Sequence, residues 1–210
     1  MKRNWRNHLA TIISIVLGLL IIYFGTDGLH AFTAESARTY RLMQEQPAFP
    51  EVTLEDSKER VYTLSEFEGK YVFLTFIYTA CTDVCPVLEL NLKEVYDQLP
   101  EKYIGEEIVF LSVSFDPDRD DPETLETYRI AFGSDGETWR MARIPDKEEL
   151  QALLEEFGVI VIPDGNGGFA HNSAFYFVDR EGYLIEVMDY QQTEKAAEKV
   201  LQVLESELEG

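Results

Sequence analysis

"YTACTDVCPVLELNL", residues 78–92, holds both cysteines of the 210-residue chain, Cys81 and Cys85, and the second of them directly precedes a proline. Immediately upstream, "YVFLTFIY" (71–78) is almost wholly β-branched, aromatic or leucine, the composition of a strand covered on both faces. Downstream, Val87, Leu88, Leu92, Val95 and Leu99 recur at helical spacing before Pro100 stops the pattern. The thiols are therefore expected where a central strand hands over to a helix, the edge at which open α/β sheets bind ligands. Proline fits the first helical position and biases the residue before it away from helix, so Cys85 is expected near the N-cap and Cys81 on the loop leading in. Unpaired N–H groups and the positive dipole end at a helix start hold a thiol below its free value of ~8.5.

Working outward, "EVTLEDSKERVYTL" reads as two short strands about a polar turn, and "EIVFLSVSF" (107–115) as a second buried strand. "DPETLETYRIAFG" is a helix with Asp121 as N-cap, Pro122 at its first position and a terminal glycine. "WRMARI" reads as a short strand, residues 146–158 as another capped helix, and "VIVI" as an extended piece. "NSAFYFVDREGYLIEVMDY" is a hairpin with "REG" at its turn, and "TEKAAEKVLQVLESEL" an amphipathic closing helix. Alternating strands and helices followed by an antiparallel hairpin predict an α/β fold: a thioredoxin-like mixed sheet flanked by helices.

The first residues stand apart from this pattern. "MKRNWRNH" (1–8) carries three cations and no acid, and residues 9–24 are uncharged. That run predicts a single membrane helix over 9–25, with Trp5 and Tyr23 at the two interfaces and the basic flank in the cytoplasm. A cleaved signal peptide ending at "LHA" (29–31) is the competing reading, disfavoured by the length of the apolar run. Residues 26–47 read as a stalk and 48–210 as the exported domain.

All 39 acidic side chains follow the apolar run, against 15 of the 18 basic ones, so that part carries a net −24. Such a field excludes nucleic acid as a partner and favours cationic ones, though a solubility adaptation explains it more simply.

Two thiols three residues apart can form a disulfide, share a metal or relay electrons. The Cys-x-x-x-Cys spacing is one residue wider than the usual redox pair, and suits thiols that open to hold something as well as close on each other. A metal needs a further ligand. His8 is on the cytoplasmic flank and His30 in the stalk, which leaves His171, after a Gly/Asn-rich loop (164–168) and before a strand, able to reach the thiol edge. Two soft sulfurs and one imidazole suit copper better than zinc, which wants a fourth ligand. A thiol–disulfide reductase is the rival. There a proline precedes the strand facing the thiols, and here His171-Asn172-Ser173 occupies that place. A thiol peroxidase is a third reading, weakened by the absence of arginine from "TACTDVCP", with Arg119 and Arg140 not placeable from sequence.

Three segments, "FIYTACTDVCP", "FLSVSFDPDRDDPETLETY" and "HNSAFYFVDREG", resemble the Sco/SenC family of copper-binding assembly factors for cytochrome c oxidase, in the family's order across roughly residues 48–208. The resemblance implies a thioredoxin-like fold and Cys81, Cys85 and His171 as ligands of one copper ion, Cu(I) or Cu(II). It implies a role in delivering copper to the dinuclear site of oxidase subunit II or in preparing its cysteines. It further implies a Cys81–Cys85 disulfide in the oxidised protein and a thiol reductant as second partner. Asp116, in the matching "DPDRD", either tunes the site by a hydrogen bond or belongs to a turn and N-cap. Unlike some bacterial relatives, the chain has no cysteine after the apolar segment for lipid attachment, so residues 9–24 themselves are the expected anchor at the cell membrane.

Overall fold

A computed structural model of the chain describes residues 2–26, 28 and 33–208. They fall into two compact units, up to Glu45 and from Gln46 onward. His30 and the "LHA" stretch lie outside the described residues.

The first unit holds α1 (Lys2–Gly25) and α2 (Ala34–Glu45). Within α1, Asn7–Gly25 has a mean hydropathy of 2.2 with none of that window buried, which makes it a candidate membrane span. Nineteen residues at 1.5 Å each span about 28 Å, close to a hydrocarbon core. Residues expected as a stalk therefore include a twelve-residue helix, α2, opened by reciprocal hydrogen bonds between Thr33 and Ser36.

The second unit is built on a seven-stranded sheet. Its strands are β1 (Leu54–Asp56), β2 (Val61–Tyr62), β3 (Tyr71–Ile77), β4 (Ile108–Ser114), β5 (Trp139–Arg143), β8 (Phe175–Val178) and β9 (Leu184–Met188), in the spatial order β2-β1-β5-β4-β3-β8-β9. Between them in sequence, β6 (Val161–Pro163) and β7 (Phe169–His171) pair only with each other. β3–β4 and β4–β5 are parallel, whereas β1–β5, β3–β8 and β8–β9 are antiparallel, so the sheet is mixed and thioredoxin-like, as expected. All seven residues of β3 and all seven of β4 are buried, which accounts for their lack of polar alternation.

Helices α3 (Val84–Gln98), α4 (Pro122–Phe132), α5 (Lys147–Glu156) and α6 (Thr193–Leu208) flank the sheet. Strand residues three apart face opposite sides, and the rings show it. Phe73 packs against Phe110, which receives Tyr96 of α3 edge-on at 5.0 Å. Phe76 faces the other way, toward Phe157 at the end of α5, 6.3 Å away. Each such fully buried ring contributes about 1.5–3 kcal/mol by transfer from water.

Two local expectations need correction. α3 begins at Val84 with Asp83 as N-cap, so Cys85 sits inside the first turn and Pro86 one residue further in. Pro86 is tolerated there because the first turn needs no intrahelical N–H partners, and the Cys85 amide donates to Cys81 Sγ at 3.3 Å. The buried stripe of α3 is Cys85, Leu88, Glu89, Leu92 and Val95, with Val87 47% exposed. Glu89 thus occupies a core position that apolar periodicity did not assign, and Val87, which it did assign, faces outward.

Candidate metal and thiol centre

The C-terminal ends of β3 and β4 and the β6–β7 hairpin meet around Cys81 and Cys85. An open cleft of about 680 Å³ is lined by Tyr78, Cys81, Arg119, Phe169 and His171 among others. A hollow of comparable size, about 610 Å³, lies beside residues 64–72 and 179–182 and has no thiol or imidazole in its lining.

Both cysteines are buried, with no bond between their sulfurs. Their surroundings drive them apart. Burial raises the Cys81 thiol, but hydrogen bonds from the Cys85 and Asp83 amides, with contacts to the Cys85 and Tyr78 side chains, outweigh it and set it below its ordinary value. Cys85, 0% exposed, is pushed well up, by burial first and then by the adjacent Cys81 sulfur. Cys81 is therefore the more acidic thiol of the pair, and it lines the cleft.

His171 closes β7, and its ring Nε2 lies 3.5 Å from Cys85 Sγ. Its Nδ1 lies 3.1 Å from the Asn172 carbonyl oxygen, which can only accept, so the proton belongs on Nδ1 and the lone pair on Nε2, toward the sulfur. Burial lowers the imidazole's pKa, with the Asn172 carbonyl opposing, so the ring is neutral at neutral pH. Phe115, at 4.9 Å between centroids, and Tyr78 wall it in, and Phe169 packs edge-on against both of those rings. Among the described residues no group of three His, Cys, Asp or Glu stands in a ready-made metal geometry, and the donors meet as a chain of contacts, Cys81 to Cys85 to His171. Two sulfurs and a neutral imidazole lone pair, screened by aromatic rings, are a donor set that fits a soft monovalent ion.

Asp116 is buried behind Arg119, which lines the cleft, and is bound to neither thiol. Its carboxylate is ion-paired with Arg119, and its amide donates to Ser114 Oγ. Asp120, which periodicity did not single out, does more. Fully buried, it accepts from the Thr79 amide at 3.0 Å and from the hydroxyls of Thr79 and Ser114, tying the loop that leads to Cys81 onto the end of β4. Arg119 donates to the Gly167 carbonyl on the hairpin and lines the cleft, whereas Arg140 stacks on Tyr62 and Phe67 elsewhere. The "DPDRD" spacing was the available signal for both residues, but a turn would produce the same letters.

A protein-family model described as SCO1/SenC matches residues 42–206. A protein of Stutzerimonas stutzeri described as a putative copper-binding protein is 28% identical over 149 residues, covering 68% of this chain and 70% of that one. The solved structure of yeast Sco1 with copper bound superposes with a TM-score of 0.64 at 22% identity, over 76% of this chain and 90% of that one. That of BsSco, described as a member of the Sco family of cytochrome c oxidase assembly proteins, gives 0.64 at 19% identity, over 75% and 93%. At these identities the two structures establish the shared fold.

Proposed function

The chain belongs to the SCO1/SenC family, and from that premise we propose that it is a membrane-anchored, extracytoplasmic copper metallochaperone. In this reading α1 holds the protein in the cell membrane with its basic flank in the cytoplasm, and the unit from Gln46 works outside. Cys81, Cys85 and His171 hold one copper ion as cargo, as Cu(I) or Cu(II), for the dinuclear site of cytochrome c oxidase subunit II. The tether confines the search for a membrane-bound acceptor to the membrane plane.

The observation that carries the reading is the approach of His171 Nε2 to Cys85 Sγ at 3.5 Å, with Nδ1 already committed to a carbonyl. A thiol–disulfide enzyme can complete its exchange without an imidazole, while a copper carrier needs that lone pair as a third ligand. The test is copper stoichiometry on the reduced full chain in detergent, wild type beside His171→Ala. One copper per chain is expected, weakened in the variant by more than the roughly ten- to a hundredfold that losing a ligand's supporting group costs. Equal affinity in the two proteins refutes the ligand assignment.

The polarisation of the thiols favours a second reading, electron transfer to partner cysteines. Cys81 thiolate attacks the partner's disulfide, forming a mixed disulfide and expelling one partner thiolate. Cys85, losing its proton, then displaces the second. The partner leaves as a dithiol after taking up two protons, and the Cys81–Cys85 disulfide keeps the balance of two electrons until a dithiol reductant restores it. This activity survives His171→Ala, which separates the two readings.

A further inference from the structure

We propose that Arg119 is a positioning residue that clasps the His171 hairpin over the thiols and so decides whether the cargo ion has an imidazole among its ligands. The inference rests on the copper reading above.

The hairpin needs such a clasp. β6 and β7 pair only with each other, so no ladder hydrogen bond of the seven-stranded sheet fixes His171. At the base of the hairpin, Asn172 is held by the chain just before β6: its Oδ1 accepts from the Ile160 amide at 2.6 Å and its Nδ2 donates to the Gly158 carbonyl at 3.2 Å. These bonds join the hairpin to its own stem and leave the tip, thirteen ångströms or so of chain by strand rise, to be held otherwise.

Arg119 holds it. Its Nη1 donates to the Gly167 carbonyl at 2.6 Å, its Nε donates to the Asp116 carboxylate, and its guanidinium lies over Phe169 at 5.5 Å and Tyr78 at 5.8 Å. Gly167 has φ +91°, a left-handed backbone that glycine adopts freely, and in that conformation its carbonyl meets the guanidinium. Phe169 then packs edge-on against Phe115 at 5.6 Å, and Phe115 against the His171 ring. The clasp is rooted on the thiol side as well. The neighbouring Asp120 holds Thr79, two residues before Cys81, through its buried carboxylate. One five-residue loop, 116–120, thus grips the imidazole hairpin with Arg119 and the thiol loop with the next residue, Asp120.

A side chain 41% exposed and paired with one carboxylate adds at most about 1 kcal/mol as an ordinary surface ion pair. A purely structural role therefore predicts a small loss of stability and nothing specific at the metal. The clasp predicts the converse.

The experiment uses the full chain in detergent: wild type, Arg119→Ala, Arg119→Lys, His171→Ala and the Arg119→Ala/His171→Ala double variant. Cu(I) affinity is read by competition with a chelator, nitrogen coordination by the hyperfine spectrum of the Cu(II) form, and hairpin opening by amide exchange across residues 161–171 without metal. We expect Arg119→Ala to bind copper about tenfold more weakly, the range for groups that orient a ligand. We also expect it to lose the nitrogen signature and to exchange its hairpin amides faster than β8 and β9. Arg119→Lys, which keeps the charge and one donor, recovers part of each. In the double variant the two losses overlap, since a clasp has nothing to hold once the imidazole is gone. Additive losses, or a retained nitrogen signature with wild-type affinity in Arg119→Ala, overturn the proposal. Should Arg119→Ala not fold, Arg119→Gln is read by the same criteria. A wild type indifferent to His171→Ala removes the ligand assignment beneath the clasp, a result visible before any Arg119 variant is compared.

Discussion

Replacing Glu89 with leucine should stabilise the protein, and by an amount that depends on pH. Glu89 is 0% exposed on the inner face of α3, and neither carboxyl oxygen has a hydrogen-bond partner among the described residues. Burial raises its pKa from 4.5 to about 8; the Ser112 hydroxyl pulls the other way, but its geometry falls short of a hydrogen bond. A carboxyl whose pKa is higher in the folded state than in the unfolded state binds its proton more tightly when folded. Unfolding then releases a proton throughout the window from pH 4.5 to 8, and stability falls as pH rises through it. Below the window there is no penalty, and above it the penalty is constant. pH 7 lies 2.5 units above the ordinary pKa of 4.5, so the penalty there is about 3 kcal/mol at 1.36 kcal/mol per unit; at pH 5 it is under about 1 kcal/mol. Because 1 kcal/mol moves the midpoint of a domain this size by roughly 2–4 °C, realising even half of the pH 7 figure raises Tm by about 3–6 °C. The assay is thermal unfolding of the full chain at pH 5, 6, 7 and 8, as the difference between variant and wild type so that other titrating groups cancel. Glu89→Leu should gain most at pH 8, while Glu89→Gln should lose the pH slope but gain less, because an amide leaves polar atoms unpaired. A Glu89→Leu protein less stable than wild type at pH 7, or a difference that does not grow with pH, refutes the reasoning.

Other perturbations test the frame of the site. Asp120→Ala strands the Thr79 amide and two hydroxyls in the interior, and should cost about 2–4 kcal/mol, a fall of roughly 8 °C in Tm measured by differential scanning calorimetry. Iodoacetamide should modify Cys81 at least about tenfold faster than Cys85, with its rate rising at lower pH than for a free thiol; mass mapping that finds equal labelling at both counts against the assigned polarity. Asp146, whose side chain accepts from the Glu148 and Glu149 amides at the start of α5, is a plain helix cap. Its replacement by alanine should cost about 1 kcal/mol in chemical denaturation and leave copper binding unchanged.

Local chemistry in the chain accounts for a great deal. The β-branched runs at 71–77 and 108–114, the Asp121-Pro122 start of α4 and its closing Gly133, and the apolar stretch of α1 each follow from side-chain pattern within a few residues. So does the placing of two thiols where β3 gives way to α3. Motifs also nominated His171, but only folding carries its Nε2 to Cys85 across 86 residues of sequence, on a hairpin that "VIVI" and "GFAH" do not announce. The same holds for Arg119 and Asp120, alike in sequence to any polar turn until one meets Gly167 and the other Thr79. Glu89 shows the limit from the other side. Periodicity reads which faces are apolar, and so cannot see a carboxyl that the packing of α3 forces inward between Cys85 and Leu92. Patterns repeat at the spacing of helices and strands and are visible in the chain; contacts between distant segments depend on how those elements pack, and that is decided only by the folded structure.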